Sequence, residues 1–373
     1  MSPAPVIRPN LRLSFLQRTV RHLPLARRAF WVPAACYADV HELAAASSGE
    51  VVIKELMALN AEASPAEACR EPRFVALLNQ GKVVGDCLLA ASKTDEVAGR
   101  LQALHGAEKP GEHWVLRRCR YRREISLSGT SALLAAASGA NYYHWLLESL
   151  PRLLLLKQAG FALNAIDRFL VNQEQHPFHA QTLEILGIPN AKRVSAQKNR
   201  VFRCECLLVP SLPAEPMVFP SWTITFLREQ FLAAAASIPM ERIFISRRRA
   251  GRRRLLNESE IEEHLRMAGF RTVILEDLSF REQVGMFASA SAIIAPHGAG
   301  LSNLVFAKPG TKVIELVGPT FINHCFQKLA RAMLLPYAEI VGNLTNTPRK
   351  RVEEDDFVVP EVKLRESMER LGF

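Results

Sequence analysis

The chain has 373 residues, of which 49% are hydrophobic and 23% charged, so it is not an intrinsically disordered protein and it is long enough for two globular domains. Its formal net charge of +10 suits nucleic acid, an anionic membrane surface or a phosphorylated substrate, and it does not choose among them. Seven scattered cysteines, an odd number, indicate reduced thiols in a cytoplasmic protein rather than a disulfide framework.

The first residues predict a basic arm. The stretch from Leu11 to Trp31 mixes apolar side chains with five arginines. Such a segment can lie on an anionic bilayer, or it can be a solvated helix or a loosely packed arm within residues 1–45, and the sequence leaves both open. No run of about eighteen apolar residues and no signal-peptide pattern is present, so we expect neither a membrane span nor secretion. The expected localisation is cytoplasmic, with peripheral contact at the inner face of the membrane if the arm binds lipid.

The amino-terminal half alternates strands and helices. A buried strand is predicted from Ser131 to Ala137, followed by a helix that Asn141 caps and Pro151 kinks or stops. The later elements read as strand, helix and strand at Arg168 to Val171, Phe178 to Leu186 and Cys206 to Val209.

The helix after Asn141 carries the first candidate site. His144 and Glu148 stand four residues apart and therefore on one helix face. In a partly desolvated cleft a carboxylate can act as a general base, and a neighbouring imidazole can orient it. The alternative is a hydrogen-bonded pair that only braces packing. His176 and His179 resemble a metal pair superficially, but no acidic partner is in register, so no metal site is predicted.

Four prolines crowd the segment from Pro210 to Pro220, which is typical of a linker. We place a domain boundary there or just beyond it, near a predicted helix from Trp222 to Ala236.

The carboxy-terminal half alternates more regularly. Its predicted strands are Arg242 to Ser246, Thr272 to Leu275, Ala292 to Ala295 and Lys312 to Leu316. Capping-box patterns at Asn257 with Glu260 and at Ser279 with Glu282 begin two of the intervening helices. Four strands alternating with three helices predict a parallel, helix-covered sheet of Rossmann type.

A glycine-rich turn follows the strand at Ala292. Gly298, Ala299 and Gly300 allow a ligand to approach the backbone where a helix can begin, and free N–H groups there suit a phosphate. His297 stands at the mouth of this turn. A G-A-G turn also serves simply to pack a strand against a helix, and His297 can be an ordinary turn histidine.

Other side chains are expected near the same edge of the sheet. Arg247 directly follows the first strand and is the preferred phosphate ligand among the six arginines between residues 247 and 254, with surface charge as its alternative. Ser246 and Asn257 are weaker candidates for nucleotide contacts. Glu315 can accept hydrogen bonds from a ribose diol, or it can be a cap or an ion pair with Lys312.

Two blocks of the sequence closely resemble glycosyltransferase family 61. The first is NYYHWLLESLPRLLLL, residues 141–156, and the second runs from ERIFISRRR at residue 241 through IIAPHGAGLSNLVFAKPGTKVIEL at residue 316. The resemblance implies a GT-B fold, an α/β architecture of two Rossmann-like domains facing across a cleft. It also implies an inverting sugar transfer from a nucleotide sugar, with no cofactor and no obligatory metal.

On this resemblance we expect an acceptor-side domain over residues 1–225, a nucleotide-sugar-binding domain over 226–350, and a helix in 351–373 that crosses back to the first domain. Glu148 and His144 would be catalytic. The donor-binding residues would be Arg247, Ser246, Asn257, His297, Gly298, Ala299, Gly300 and Glu315. The donor is expected to be UDP-linked, carrying a hexose or a pentose. The acceptor would be a glycan or lipid-linked oligosaccharide in surface polysaccharide biosynthesis.

Two other functions stay open at this point. A nucleotide-sugar epimerase of the same architecture would turn over the donor without an acceptor. A nucleic-acid-binding protein could use the arginine run, but the chain lacks the interleaved aromatic residues that stack on single strands, so nucleic acid is not the expected partner.

Overall fold

The computed structural model describes residues 34–37, 39–56, 73–85, 89–98, 123–136, 138–197, 200–215, 217–345, 351 and 354–373. The basic arm from Leu11 to Trp31 lies outside the described residues. The chain divides into two compact units, Met1–Glu215 and Pro216–Phe373. The division falls inside the proline-rich segment, earlier than the expected boundary at residue 225.

The first unit is built on a mixed sheet. Its strands are β1 (Ala35–Tyr37), β2 (Val51–Glu55), β3 (Phe74–Asn79), β4 (Lys82–Val84), β5 (Leu89–Ala91), β6 (Glu96–Ala98), β7 (Arg123–Leu133), β8 (Arg168–Val171), β9 (Arg193–Ser195) and β10 (Arg200–Pro210). The main sheet has the order β2-β3-β10-β7-β8-β9, and β4 also pairs with β10 and β5. The neighbours from β10 to β9 are parallel, whereas β2, β3 and β4 pair antiparallel. Only the second half of this sheet is therefore Rossmann-like.

The helices of the first unit are α1 (Val40–Ala46), α2 (Tyr142–His144), α3 (Arg152–Gln158) and α4 (Pro177–Ile185). A π-helical turn, Trp145–Ser149, joins α2 to α3, and single 3₁₀ turns lie at Leu163–Ala165 and Asn190–Lys192. The predicted strand over Arg168 to Val171 is confirmed, and α4 starts and ends one residue earlier than predicted. Asn141 is the N-cap of α2, as the sequence indicated, because its side chain accepts from the Tyr143 N–H.

The second unit contains an all-parallel sheet. The strands of the whole second unit, in chain order, are β11 (Arg242–Ile245), β12 (Arg271–Val273), β13 (Ala292–Pro296), β14 (Lys312–Val317), β15 (Tyr337–Val341), β16 (Asn343–Leu344) and β17 (Phe357–Val358). The order β12-β11-β13-β14-β15 is parallel throughout and confirms the predicted helix-covered sheet. β15 was not predicted. The direction of winding reverses between β11 and β13, and ligands of such sheets bind outside the carboxyl ends of the strands at this switch point.

Helices cover that sheet. They are α5 (Ser221–Phe231), α6 (Glu258–Met267), α7 (Phe280–Ser289), α8 (Cys325–Ala332) and α9 (Glu361–Leu371), with 3₁₀ segments at Leu232–Ala234, Leu275–Asp277 and Ala299–Phe306. Leu364 and Met368 of α9 pack in the same core as Phe244 and Ile294 of the sheet. The C-terminal helix therefore belongs to the core of the second unit, whereas the resemblance implied a helix that crosses back to the first domain.

The two predicted capping boxes have different outcomes. Ser279 accepts from the Glu282 N–H while the Glu282 carboxylate accepts from the Ser279 N–H, so the box at the start of α7 is confirmed. The box at Asn257 is wrong. The Asn257 side-chain amide instead pairs with the backbone N–H and C=O of Val359, at 3.1 and 2.9 Å. Across the described residues, no helix is both long enough and apolar enough to span a bilayer.

Candidate functional site

The glycine-rich turn lies at the switch point of the parallel sheet. β13 is buried along its whole length and leads into His297 and Gly298. The residues that follow, Ala299–Phe306, form a 3₁₀ segment rather than the predicted α-helix. Its first N–H groups have no partner inside the segment, and the segment begins at the edge where β11 also ends. A turn of this kind can bind an anion through its backbone.

Gly298 is required for space rather than for backbone conformation. Its φ of 177° is extended and open to any residue. A Cβ at this position, however, would lie 1.9 Å from Nη1 of Arg247. The Arg247 guanidinium thus lies directly against the backbone of the turn, as the prediction of a phosphate role for Arg247 requires.

The six arginines after β11 fall into two groups. Four of them form ion pairs with carboxylates: Arg248 with Glu258 and Glu262, Arg249 with Asp277, Arg252 with Glu354, and Arg254 with Asp356. Arg247 and Arg253 have no such ion pair within the part of the chain that the structure describes. The Nε atom of each is buried without a hydrogen-bond partner. These two guanidinium groups are therefore the cations of the run that are placed to receive an anion.

Burial lowers the pKa of both unpaired arginines. For Arg247 desolvation is the main cause, opposed by the nearby carboxylate of Glu276. For Arg253 desolvation and the neighbouring charge of Arg247 lower the pKa to about 10. Two half-buried cations close to each other are unfavourable unless an anion compensates both, and a diphosphate carries enough charge to do so.

Arg253 is held from two directions. Its guanidinium lies over the ring of Phe321, 4.4 Å from the centroid, and its backbone N–H donates to the carbonyl of Glu354 at 3.2 Å. Its φ is +53°, a conformation that residues other than glycine rarely adopt. A strained backbone that places a buried charge is typical of a functional position.

A histidine, a glutamate and a tyrosine form a buried network beside this pair. Nδ1 of His297 lies 2.5 Å from Oε1 of Glu315, and the hydroxyl of Tyr337 donates to Oε2 of Glu315. Glu315 is 0% exposed and His297 is 7% exposed. Burial, and then the charge of Glu315, raise the pKa of the Tyr337 hydroxyl, so it stays a donor. The carboxylate fixes the orientation of the imidazole, and no described group hydrogen-bonds to its Nε2 atom.

This network changes the expected role of Glu315. Both of its oxygens already have partners and the carboxylate is wholly buried, so in this arrangement it cannot receive the hydroxyls of a ribose. The predicted ion pair with Lys312 is also not formed, because the Lys312 ammonium donates to the carbonyl of Gly372.

In the first unit, His144 and Glu148 form the predicted pair. Nδ1 of His144 lies 2.9 Å from Oε2 of Glu148, with 25% and 14% of the two side chains exposed. The pair follows β7, and Glu148 sits in the π-helical turn that the bond from the Leu150 N–H to the Trp145 carbonyl closes at 3.1 Å. Such turns occur frequently at functional sites. A carboxylate that is mostly buried and oriented by an imidazole is suited to accept a proton.

The loop before this pair is rigid. The side-chain amide of Asn172, at the end of β8, accepts from the Ala136 N–H at 3.1 Å and donates to its carbonyl at 2.9 Å. Trp145 is fully buried, and its indole N–H donates to the hydroxyl of Thr182 at 2.9 Å. The His144–Glu148 pair is thus held at the carboxyl edge of the parallel strands β7 and β8.

Comparison with known proteins finds one family match that includes residues of both candidate sites. Residues 142–314 match the profile of the family described as Glycosyltransferase 61. This part of the chain, which includes residues of both units, is therefore similar to glycosyltransferase family 61. Over 133 residues it is 31% identical to Beta-1,2-xylosyltransferase of Arabidopsis thaliana, and over 169 residues it is 27% identical to Beta-1,2-xylosyltransferase RCN11 of Oryza sativa subsp. japonica. These stretches cover 32% and 37% of this chain but only 23% and 31% of the two relatives.

The range that matches family 61 includes the side chains of both candidate sites, except for two members of the His297 network. His144, Glu148, Arg247, Arg253 and His297 lie inside the matched range. Glu315 and Tyr337, which orient His297, lie beyond its end.

Two residues predicted as nucleotide contacts instead support the arginine segment. The Ser246 hydroxyl donates to the buried carboxylate of Glu258 at 2.5 Å and accepts from Nε of Arg248 at 2.9 Å. The Asn257 amide is engaged by Val359. Neither side chain presents its polar atoms to a ligand in this arrangement.

His176 and His179 do not form a metal pair. The two nitrogens of His179 lie 3.1 Å from the carbonyls of His176 and Gly139, and burial lowers its pKa. Among the described residues no group of three His, Cys, Asp or Glu side chains is arranged to hold a metal ion.

Sequence reasoning missed Arg253 and Tyr337. Inside a run of six arginines nothing local distinguishes Arg253, because the carboxylates that pair with Arg252 and Arg254 come about a hundred residues later in the chain. Tyr337 begins the strand β15, which follows no recognisable cap or turn signal. The one clue was its place in a short apolar run after Pro336.

Proposed function

We propose that this chain is an inverting glycosyltransferase that moves a sugar from a nucleotide-sugar donor to a hydroxyl of a glycan acceptor. The observation that carries the proposal is the pair of half-buried guanidinium groups at the switch point, Arg247 and Arg253, which have no ion pair among the described residues and lie beside His297 and the glycine-rich turn. Sugar transfer creates negative charge on the departing diphosphate, and fixed cations and N–H groups stabilise that charge.

On the donor side, Arg247 and Arg253 would bind the diphosphate oxygens. His297 would contact the same group through Nε2, with Glu315 and Tyr337 as positioning residues that hold its ring. The backbone N–H groups of Ala299 and Gly300 would complete the anion site, with Gly298 leaving room for Arg247.

On the acceptor side, Glu148 would act as the general base and His144 would orient it. The acceptor hydroxyl oxygen forms a bond to the anomeric carbon while the bond from that carbon to the phosphate oxygen breaks. The hydroxyl proton passes to Glu148, and the electron pair of the broken bond leaves on the diphosphate. Attack opposite the leaving group inverts the anomeric configuration. A GT-B arrangement of two Rossmann-like domains is part of this proposal, supported by parallel strands in each unit.

The names of the two relatives favour pentosyl transfer, so UDP-xylose is the first donor to test, with UDP-hexoses beside it. We further propose that the acceptor is a surface polysaccharide or a lipid-linked oligosaccharide and that the protein acts in the cytoplasm without a metal. These points rest on the family resemblance.

The test is donor turnover by the purified protein across a panel of nucleotide sugars, with and without acceptor. Transfer should fall at least about a hundredfold in Glu148→Gln and in Arg247→Ala, because each removes a group that acts at the reacting bond. Arg249→Ala is the matched control, since Arg249 is an exposed member of the same run paired with Asp277. Transfer retained in both site variants would refute the assignment, and conversion of the donor to another nucleotide sugar without acceptor would indicate an epimerase.

A further inference from the structure

Aromatic rings gather beside the His144–Glu148 pair, at the start of α2 and of α4. We propose that these rings, Tyr142, Tyr143, His176 and Phe178, bind the C–H face of a sugar ring of the acceptor. The proposal rests on the proposed function and deepens it, because it makes a sugar ring the group that presents the acceptor hydroxyl. We call the four residues the aromatic platform.

Three rings of the platform contact one another at a partly exposed surface, and Tyr143, which follows Tyr142 in α2, contacts His144. Tyr142 meets Phe178 edge to face with the centroids 4.9 Å apart, and His176 stacks on Phe178 at 5.5 Å with 17° between the planes. Tyr143 meets the ring of His144 at 5.1 Å and 84°. Both tyrosines and Phe178 are half-buried, and His176 is exposed. Tyr143, the neighbour of Tyr142 in α2, thus connects the platform to His144 and, through the 2.9 Å contact of His144 with Glu148, to the proposed base.

The platform packs on side chains that are themselves held in place. Phe178 packs on the buried ring of His179 at 4.2 Å, and His179 meets the fully buried Trp145 at 4.7 Å. The Thr182 hydroxyl, which accepts from the Trp145 indole, donates to the Phe178 carbonyl at 2.7 Å. Rings already held in place lose little freedom when a ligand binds, so this surface is preorganised.

The chemistry of this surface fits a sugar ring better than an acyl chain or a nucleotide. A pyranose has an apolar C–H face for an aromatic ring and a rim of hydroxyls for polar groups. Here the platform also has polar groups: the imidazole of His176, which is itself one of its rings, the carboxylate of Glu148 and the polar loop Gln173–Gln175. Leu146 and Leu147, which could have extended an apolar groove, are buried. The nearby carboxylate of Glu148 disfavours a phosphorylated ligand.

Saturation-transfer NMR on the full chain tests the proposal. Each sample contains UDP and one neutral sugar from a panel of methyl β-D-glucopyranoside, methyl β-D-galactopyranoside, methyl α-D-mannopyranoside, methyl β-D-xylopyranoside and cellobiose. We expect saturation of the C–H protons of at least one sugar, reduced about fivefold or more in Phe178→Leu and Tyr142→Ala. Phe178→Leu keeps apolar volume without the ring, and Phe178→Tyr should restore the signal.

Phe161→Ala is the control, since Phe161 is another half-buried ring of the first unit, located under the ammonium of Lys54. The UDP signals in each sample report the donor site separately. Sugar signals unchanged in the ring-less variants, or absent in the wild-type protein while UDP is saturated, would overturn the platform and leave the donor site intact. Sugar signals lost only with the platform rings, in a protein that does not bind UDP, would support the platform and contradict the donor assignment.

Discussion

At Gly298 the lack of a side chain determines where a cation can lie. The glycine has an ordinary extended backbone, so another residue could adopt its conformation. The Arg247 guanidinium occupies the space that a Cβ would need. From the sequence, glycine is expected here for its backbone flexibility. In this chain its lack of a side chain instead leaves space for Arg247, which lies in the segment after β11.

This contact gives a prediction for Gly298→Ala. The added methyl must displace the guanidinium of Arg247, and we expect UDP to bind about tenfold more weakly, which corresponds to about 1.4 kcal/mol. Gly251→Ala is the matched control, because it lies in the same arginine segment and a Cβ there meets nothing within 4 Å. Calorimetric titration with UDP measures both. Equal affinities for the two variants would show that Arg247 does not need this position.

Arg253 has an opposite effect on stability and on binding. Folding lowers its pKa to about 10, so above that pH the unfolded chain holds a proton that the folded chain has lost, and stability rises with pH there. Below pH 10 the unfavourable charge is present in full. At neutral pH the ligand-free protein is therefore destabilised by Arg253, and an anion would relieve the cost.

Arg253→Met should separate these two effects. Methionine keeps a favourable contact with the ring of Phe321 and removes the buried charge. We expect the thermal midpoint Tm of the ligand-free protein at pH 7 to be unchanged or higher by about 1–3 °C, and the rise in Tm caused by UDP to disappear. Differential scanning calorimetry with and without UDP measures both quantities. A lower Tm combined with an intact UDP response would assign Arg253 to structure alone.

At the level of elements, the segment Glu354–Val359 acts as a strap on the arginine segment. The Phe357 N–H donates to the Arg254 carbonyl at 3.0 Å, and the Leu256 N–H donates to the Phe357 carbonyl at 2.8 Å. Asp356 accepts from the backbone N–H of Arg254 at 2.8 Å and from its guanidinium at 2.9 and 3.1 Å. The strap therefore determines the path of the residues that place Arg253.

The strap predicts the behaviour of Asp356→Asn. Asp356 is 8% exposed and supports three hydrogen bonds, two of them charge-assisted. Loss of its charge should cost about 1–2 kcal/mol and lower Tm by about 2–6 °C. UDP affinity should fall as well, because the arginine segment loosens. Asp277→Asn, which breaks the exposed pair with Arg249, should change neither quantity measurably. Similar effects of the two variants would mean that the strap does not position the site.

Sequence patterns were sufficient for the elements whose signals are local. The alternation from Arg242 to Leu316 predicted four parallel strands because hydrophobic runs, caps and glycines follow one another there. The capping box predicted at Asn257 is wrong because the Asn257 amide pairs with the backbone of Val359, a residue distant in sequence that a local capping rule cannot anticipate. The strap and the exclusion of Glu315 from ligand contact also depend on residues distant in sequence.

In the proposed function, the two units of the molecule have different tasks. His297, Arg247 and Arg253 of the second unit would set donor affinity, whereas Glu148 of the first would set the rate of transfer. The sequence could point to both candidate sites, because each lies in a block that resembles glycosyltransferase family 61. It could not distinguish the two unpaired arginines from the four paired ones, since that difference is a matter of which carboxylates fold against them.

The most direct measurement is UDP affinity by isothermal titration calorimetry for the wild-type protein and the variants Arg253→Met, Arg249→Met and Glu148→Gln. We predict a loss of affinity of at least about tenfold for Arg253→Met alone, with Arg249→Met and Glu148→Gln within about twofold of the wild type. If Arg249→Met weakened UDP binding as much as Arg253→Met, or if neither did, the diphosphate would not lie on the unpaired guanidinium groups.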